Sequence, residues 1–451
     1  MSEKLAARNI TEGIIWKQLL SFFFPILLGT FFQQMYNTVD TIIVGRFVGT
    51  QALAAVGSTG ALISLLNGFF IGLGSGATVL VSQFFGASDR EGVSRALHTG
   101  MGLALMLGLL ISFLGLCFGP QVLLLMNTPA DCLEDAVIYA RIFFSGAVAS
   151  MVYNMGAGIL RAMGDSKRPM IFLVITCFAN ILLDILCIVV LKMGVAGAAF
   201  ATVLSQIISA VLVIMVLLRL PEEYALRLRQ IRIDPMLLRR ILYVGVPAGL
   251  QFVTFDLANL LIQSGINSFG SATIAAFTAY AKADMLTWML SGAFGVAITT
   301  FVGQNYGAQK YDRIYKSVRI CLGMGISLIG LCSGLIILFR HLILGIFSAD
   351  AEVIQLGAWL MLWVVPFNVI FVPVEIFAGA MRGTGYSVVP TVITSVCVCL
   401  FRVLWLLIVV NRFHTLEMLM LCYPISWILA DIAFLITYLR GKWLRRKPVH
   451  Q

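Results

Sequence analysis

Two polar residues stand one helical turn apart inside an apolar stretch, FANILLDI, so Asn180 and Asp184 share one face of any helix that forms there. A carboxylate at the centre of a membrane helix costs about 2.5 to 3.5 kcal/mol to insert, and such a group persists because something binds to it. Asp40 lies in the first apolar run and raises the same question, while Thr202 adds a hydroxyl in the sixth. Carboxylate, amide carbonyl and hydroxyl oxygens are hard donors suited to a cation such as sodium, and a buried carboxylate can carry a proton instead. Asp40, Asn180, Asp184 and Thr202 are therefore the expected site of a coupling cation, and sodium is the metal their oxygens would hold. The competing account makes both acids packing devices, hydrogen-bonded to neighbouring helices.

The elements that must position these residues are membrane helices. The chain has 451 residues, 60% hydrophobic and 12% charged, against about 25% charged in an average soluble protein. Twelve apolar runs follow one another between residues 16 and 439, each long enough to cross about 30 Å of hydrocarbon as a helix. An all-α integral membrane fold is expected, with the lipid bilayer as its surroundings. The formal charge of +10 does not indicate nucleic acid, because the basic residues alternate by loop. Arg46, Arg141, Lys192, Arg340 and Arg412 fall on one side, Lys282 and Arg402 lie within runs, and the rest of the 31 Lys and Arg fall on the other side. The positive-inside rule then predicts a multi-pass plasma-membrane protein with both termini in the cytoplasm. No cleavable signal precedes the first run. The nine cysteines form no disulfide framework or metal spacing. His98, His341, His414 and His450 lie at run ends or in the tail, and no catalytic constellation emerges, so an enzyme is not expected.

The segment VSQFFGASDREGVSRAL returns as VGQNYGAQKYDRIYKSV, with Gln83 recurring as Gln304 and Gly86 as Gly307, an offset of 221. The same offset carries Gly49 to Gly270, Arg161 to Arg382, Gly164 to Gly385 and Pro169 to Pro390. The chain is read as two homologous six-helix bundles, related by a pseudo-twofold axis along the membrane normal with a cleft between them. The N-terminal lobe spans 1–219, a charged cytoplasmic linker 220–236, and the C-terminal lobe 237–451. Pro25 interrupts the first run and removes a backbone hydrogen bond, which marks it as the expected hinge. Gly68, Gly72 and Gly76 line one face of the second run and are expected to serve close helix packing.

The halves differ where chemistry is expected. In the common register Asn180 corresponds to Phe401, Asp184 to Trp405 and Thr202 to Tyr423, so the polar cluster belongs to the N-terminal half alone. The C-terminal half carries its own intramembrane acids: Asp256, Asp284 beside Lys282, Glu375 and Asp431. Asp256, Glu375, Asp284 and Lys282 are candidates for lining a substrate cleft, Asp256 and Glu375 being the better ligands for a cation. Arg402 is a candidate ion-pair partner for one of these acids.

VDTIIVGRFVG with ALAAVG, the SQFFGA and GQNYGA pair, and LRAMGDSKRP with its partner MRGTGYSVVP together resemble the multidrug and toxic compound extrusion (MATE) transporters, over nearly the full chain. The resemblance implies a V-shaped pair of six-helix lobes, alternately open to each side. It implies antiport, the export of lipophilic organic cations in exchange for sodium or protons; nothing in the sequence requires more than a monomer, and no cofactor is expected. In the branch with its cation site in the N-terminal lobe, the site residues match Asp40, Asn180, Asp184 and Thr202 here. In the branch that uses C-terminal acids, Asp256 matches the first, whereas Phe371 stands at the second position with Glu375 one turn later. A flippase for a lipid-linked sugar is the alternative within the same architecture, and it would favour a basic cleft, whereas acids outnumber bases in these runs. A passive channel would differ from both by flux without saturation or coupling.

Overall fold

The structure is a computed structural model that describes residues 10–126 and 128–444, so the extreme termini, whose cytoplasmic placement was expected, lie outside the described residues. Among the described residues every regular element is helical. The first repeat comprises α1 (Ile15–Phe47), α2 (Thr50–Gly86), α3 (Arg90–Leu125), α4 (Leu133–Ser145), α5 (Ala147–Ala162), α6 (Lys167–Asp184) and α7 (Gly194–Leu218). The second comprises α8 (Pro235–Asn267), α9 (Ser271–Gly307), α10 (Tyr311–Leu338), α11 (Arg340–Phe347), α12 (Ala351–Val364), α13 (Asn368–Gly383), α14 (Val388–Thr394), α15 (Phe401–Trp405), α16 (Asn411–Phe413) and α17 (Leu416–Leu439). Among the described residues eleven helical stretches are long and apolar enough to span a membrane, or twelve if α4 and α5, bent by 48°, form one span. Gly146 sits at that bend, where a Cβ would meet Val203 of α7 at 2.7 Å. The missing side chain lets α7 approach the break.

The duplication is written into the backbone as well as the sequence. Left-handed residues recur at the same offset: Gly49 and Gly270 (φ 124° and 97°), Ser88 and Gln309 (58° and 59°), Gly164 and Gly385 (94° and 85°). A π-helical run, Ile185–Val190, follows α6, and its counterpart Leu406–Val410 follows α15. The second repeat has an additional π-helical run, Ser395–Leu400, between α14 and α15.

The described chain packs into two compact units, one of residues 24–249 and one of residues 10–23 with 250–444. The chain passes between units inside α1, beside Pro25, and again inside α8, just after Pro247. Each unit therefore contains the entry segment of the other repeat's first helix.

In the first unit, residues 235–249 of α8 lie on the glycine face of α2. A Cβ on Gly72 would meet the Gly249 nitrogen at 2.4 Å, and one on Gly76 the Ile241 carbonyl oxygen at 2.2 Å, so these glycines serve packing. The linker docks on the same unit: Arg227 N donates to His98 Nε2 (3.0 Å), and Asp234 N to Thr99 Oγ1 (3.3 Å). In the second unit, Phe23 stacks on Phe294 of α9 with centroids 4.1 Å apart. Arg313 holds the residues ahead of it, donating to the Gly13 carbonyl (2.8 Å) and to Gln18 Oε1 (2.7 Å), while Ile10 N donates to Gln304 Oε1 (3.1 Å).

Candidate functional site

The first unit gathers its polar residues from four helices. Asp40 comes from α1, Tyr139 from α4, Asn180 and Asp184 from α6, and Thr202 from α7. Asn180 and Asp184 are fully buried, and Asp40 and Thr202 are each 7% exposed. Asp184 lies within Coulombic range of Asp40. Tyr139 lies beside Thr202 and is a Coulombic neighbour of Asp40, Tyr36 and Asp184. The four residues expected from the sequence thus come together. Asp184 is the last residue before the π-helical run at 185–190, and such local widening of a helix is frequent at functional sites.

What distinguishes the cluster is its unmet hydrogen bonding. Both oxygens of Asp184, Oδ1 of Asp40, and both Oδ1 and Nδ2 of Asn180 are buried without a hydrogen-bond partner among the described residues. A buried polar atom left unpaired costs about 1 to 3 kcal/mol, and more when charged. Two such carboxylates within Coulombic range also repel one another. A cation answers both costs at once. Among the described residues no three His, Cys, Asp or Glu gather in a metal-binding group, and the donor set of two carboxylates, an amide oxygen and hydroxyls suits a hard monovalent ion.

Tyr139 was not legible as a member of this site. Tyrosine near a span end is the ordinary belt residue of a membrane interface, and only the packing of α4 brings it beside Thr202.

In the second unit Oδ1 of Asp431 is likewise buried without a hydrogen-bond partner among the described residues, but Asp284 and Glu375 are treated differently. Asp284 is buried, and its Oδ1 accepts from Thr287 Oγ1 (2.6 Å) and Asn368 Nδ2 (2.6 Å) while its Oδ2 accepts from Trp288 Nε1 (2.9 Å) and Tyr280 OH (3.2 Å). Four donors leave this carboxylate well satisfied, tying α9 to α13. Glu375 pairs with Arg382 at 3.8 Å, and Arg382 Nη1 also donates to Gln251 Oε1 at 3.4 Å. Lys282 is exposed and Asp256 half-buried. Asp284 and Glu375 thus sit in separate networks. Arg402, expected to pair with one of the acids, instead donates from Nε to Ser426 Oγ (3.1 Å), and neither Nη1 nor Nη2 has a hydrogen-bond partner among the described residues.

Comparison with known proteins decides the family. The MatE family model matches twice, over residues 25–186 and 247–408, once in each repeat. The chain belongs to the MATE family. Among its MATE relatives, a probable multidrug resistance protein YoeA of Bacillus subtilis is 30% identical over 400 residues, covering 87% of this chain and 86% of its own. A probable multidrug resistance protein NorM of Thermotoga maritima is 26% identical, over 96% of this chain and 94% of its own. A multidrug resistance MATE transporter solved in an outward-facing conformation superposes with a TM-score of 0.91 at 24% identity, covering 99% of this chain and all of that one, which shows a shared fold. MATE proteins are multi-pass efflux transporters of small molecules and not enzymes, and this chain is of that type.

Proposed function

We propose that this MATE transporter exports lipophilic organic cations in exchange for sodium or protons by alternating access, as a monomer in the plasma membrane with both termini in the cytoplasm. The observation that carries the coupling is the cluster of unpaired buried oxygens around Asp184 in the first unit. Asp40 and Asp184 supply the charge, Asn180 and Thr202 neutral oxygens. In this reading the chain is of the branch whose cation site is N-terminal, with 1–219 and 237–451 as the two lobes and 220–236 as their linker.

The coupling runs through α1. Asp40 lies on the same helix as Pro25, and that helix changes unit between Phe23 and Phe24. A cation bound between Asp40 and Asp184 relieves their repulsion and draws α1 toward α6 and α7. The proline, lacking an amide hydrogen, is the point at which α1 bends in response. Asp256, Glu375, Asp284 and Lys282 serve the substrate side in this scheme, Asp284 mainly by holding α9 to α13. One charge moving down 100 mV yields about 2.3 kcal/mol, enough for about a forty-fold substrate gradient at full coupling.

The test is efflux of a fluorescent lipophilic cation from proteoliposomes under separately imposed sodium and proton gradients, with Asp184→Asn beside the unaltered protein. One gradient is expected to drive efflux, and the substitution to abolish it. Normal coupled efflux by the variant would sink the proposal.

A further inference from the structure

The second unit contains an arginine that the exporter scheme does not use. Arg402 sits within the span Val388–Phe413, on α15, the short α-helical piece between the two π-helical runs Ser395–Leu400 and Leu406–Val410. Its side chain is fully buried. Guanidinium groups stay charged inside proteins, and an intramembrane arginine normally has a partner to offset its cost. Here Nε donates to Ser426 Oγ at 3.1 Å, while Nη1 and Nη2 have no hydrogen-bond partner among the described residues.

The surroundings are aromatic and rich in donors. The guanidinium carbon lies 4.4 Å from the ring centroid of Tyr423, 5.8 Å from that of Phe255 and 5.9 Å from that of Trp427. Trp427 is itself fully buried, and its Nε1 is another donor without a hydrogen-bond partner among the described residues. The nearby carboxylate of Asp284 is already committed to four donors from Thr287, Asn368, Trp288 and Tyr280. Ring faces stabilise the positive charge but accept no strong hydrogen bond in the guanidinium plane. The arrangement therefore has three buried N–H-bearing atoms to offer and no acceptor for them.

We propose that Arg402 is the anion-recognition residue of the second unit, and that it takes the carboxylate of a planar aromatic acid, either a simple aryl carboxylate or the acid end of a zwitterion. The free edge of the guanidinium presents the parallel N–H groups that a carboxylate accepts bidentately. Tyr423 and Phe255 offer ring faces for the aromatic body. Phe255 is half-buried where Arg402 is sealed, so Phe255 is the ring that gives way when the ligand enters. The π-helical turns flanking Arg402 allow a local adjustment of its helix. This rests on the exporter reading and extends it to substrates with an acidic group.

The experiment is isothermal titration calorimetry on the full-length protein in detergent with 2-naphthoate, its neutral isostere 2-naphthamide, and sodium chloride. The unaltered protein is expected to bind 2-naphthoate saturably and at least about tenfold more tightly than the neutral amide. Arg402→Gln is expected to weaken 2-naphthoate about tenfold or more, and Arg402→Lys to fall between, since lysine supplies the charge without the fork. Phe255→Ala, which leaves the arginine in place, is expected to weaken it severalfold. Equal affinity for the two naphthyl compounds in the unaltered protein would overturn the proposal without need of any variant. So would an unchanged affinity in a folded Arg402→Gln protein, or chloride binding at the same site in preference to the organic acid. Asp184→Asn is expected to leave 2-naphthoate binding intact, so a failure of cation-coupled efflux and a failure of this site are separate results.

Discussion

Buried oxygens without hydrogens to accept are what the Asp184 cluster offers a cation, and their neighbours set how tightly it is held. Tyr139 lies beside Thr202 and near both carboxylates, so its hydroxyl is placed to hydrogen-bond one of the neutral donors. One such bond is worth about 1 kcal/mol net, which corresponds to about a fivefold change in affinity. Tyr139→Phe is expected to raise the half-saturating concentration of the coupling ion by about that factor while leaving maximal efflux nearly unchanged. An ion dependence that does not move would remove Tyr139 from the site. The pairing of Asn180 with Asp184 was readable because an acid four residues from an amide in an apolar run has no common structural explanation. Arg402 was readable as an anomaly, but its surroundings were not. Sequence suggested an acidic partner, whereas the folded chain spends the Asp284 carboxylate on other donors and surrounds the arginine with rings.

Helices carry the next level, and here glycine positions decide how closely they meet. Gly76 of α2 faces the Ile241 carbonyl so closely that an added Cβ would lie 2.2 Å from it, whereas a Cβ on Gly57 of the same helix would meet nothing within 4 Å. Gly76→Val is expected to destabilise the protein by about 2 kcal/mol through overpacking. Gly57→Ala is expected to be neutral or to stabilise by up to about 1 kcal/mol, because alanine loses less backbone entropy in a helix. Thermal unfolding in detergent measures both, and equal shifts for the two variants would show that the α2 contact is not tight. The close-packing role of this face was legible from the four-residue spacing of its glycines. The partner it packs against was not, nor was the break at Gly146, since a single glycine in an apolar run carries no signal of a bend. The π-helical runs were equally silent: the residues of Ile185–Val190 read as any other apolar span.

At the scale of the whole chain, the two compact units do not coincide with the two sequence repeats. The offset of 221 divides the protein between α7 and α8, yet residues 235–249 of α8 pack in the first unit and residues 10–23 in the second. Periodicity and duplication locate homologous segments; they do not say which segments pack together, because that depends on contacts between residues far apart in sequence. The packing has a consequence for fragments. Without residues 235–249 the glycine face of α2 loses the backbone that fills it, and lipid chains cannot restore contacts as close as those of Gly72 with Gly249. A chain ending at residue 219 also leaves His98 and Thr99 without the linker amides of Arg227 and Asp234 that donate to them. A fragment of residues 1–219 expressed alone is therefore expected to aggregate or to unfold at a clearly lower temperature than a fragment of residues 1–249, although the longer one ends within a helix. Co-expression of 1–219 with 220–451 is expected to restore a monodisperse particle, because the second fragment brings residues 235–249 with it. Size-exclusion chromatography with thermal challenge distinguishes the cases. A 1–219 fragment as heat-stable as 1–249 would mean that the first repeat folds without the borrowed segment, and the exchange at Pro25 and Pro247 would then be incidental to stability.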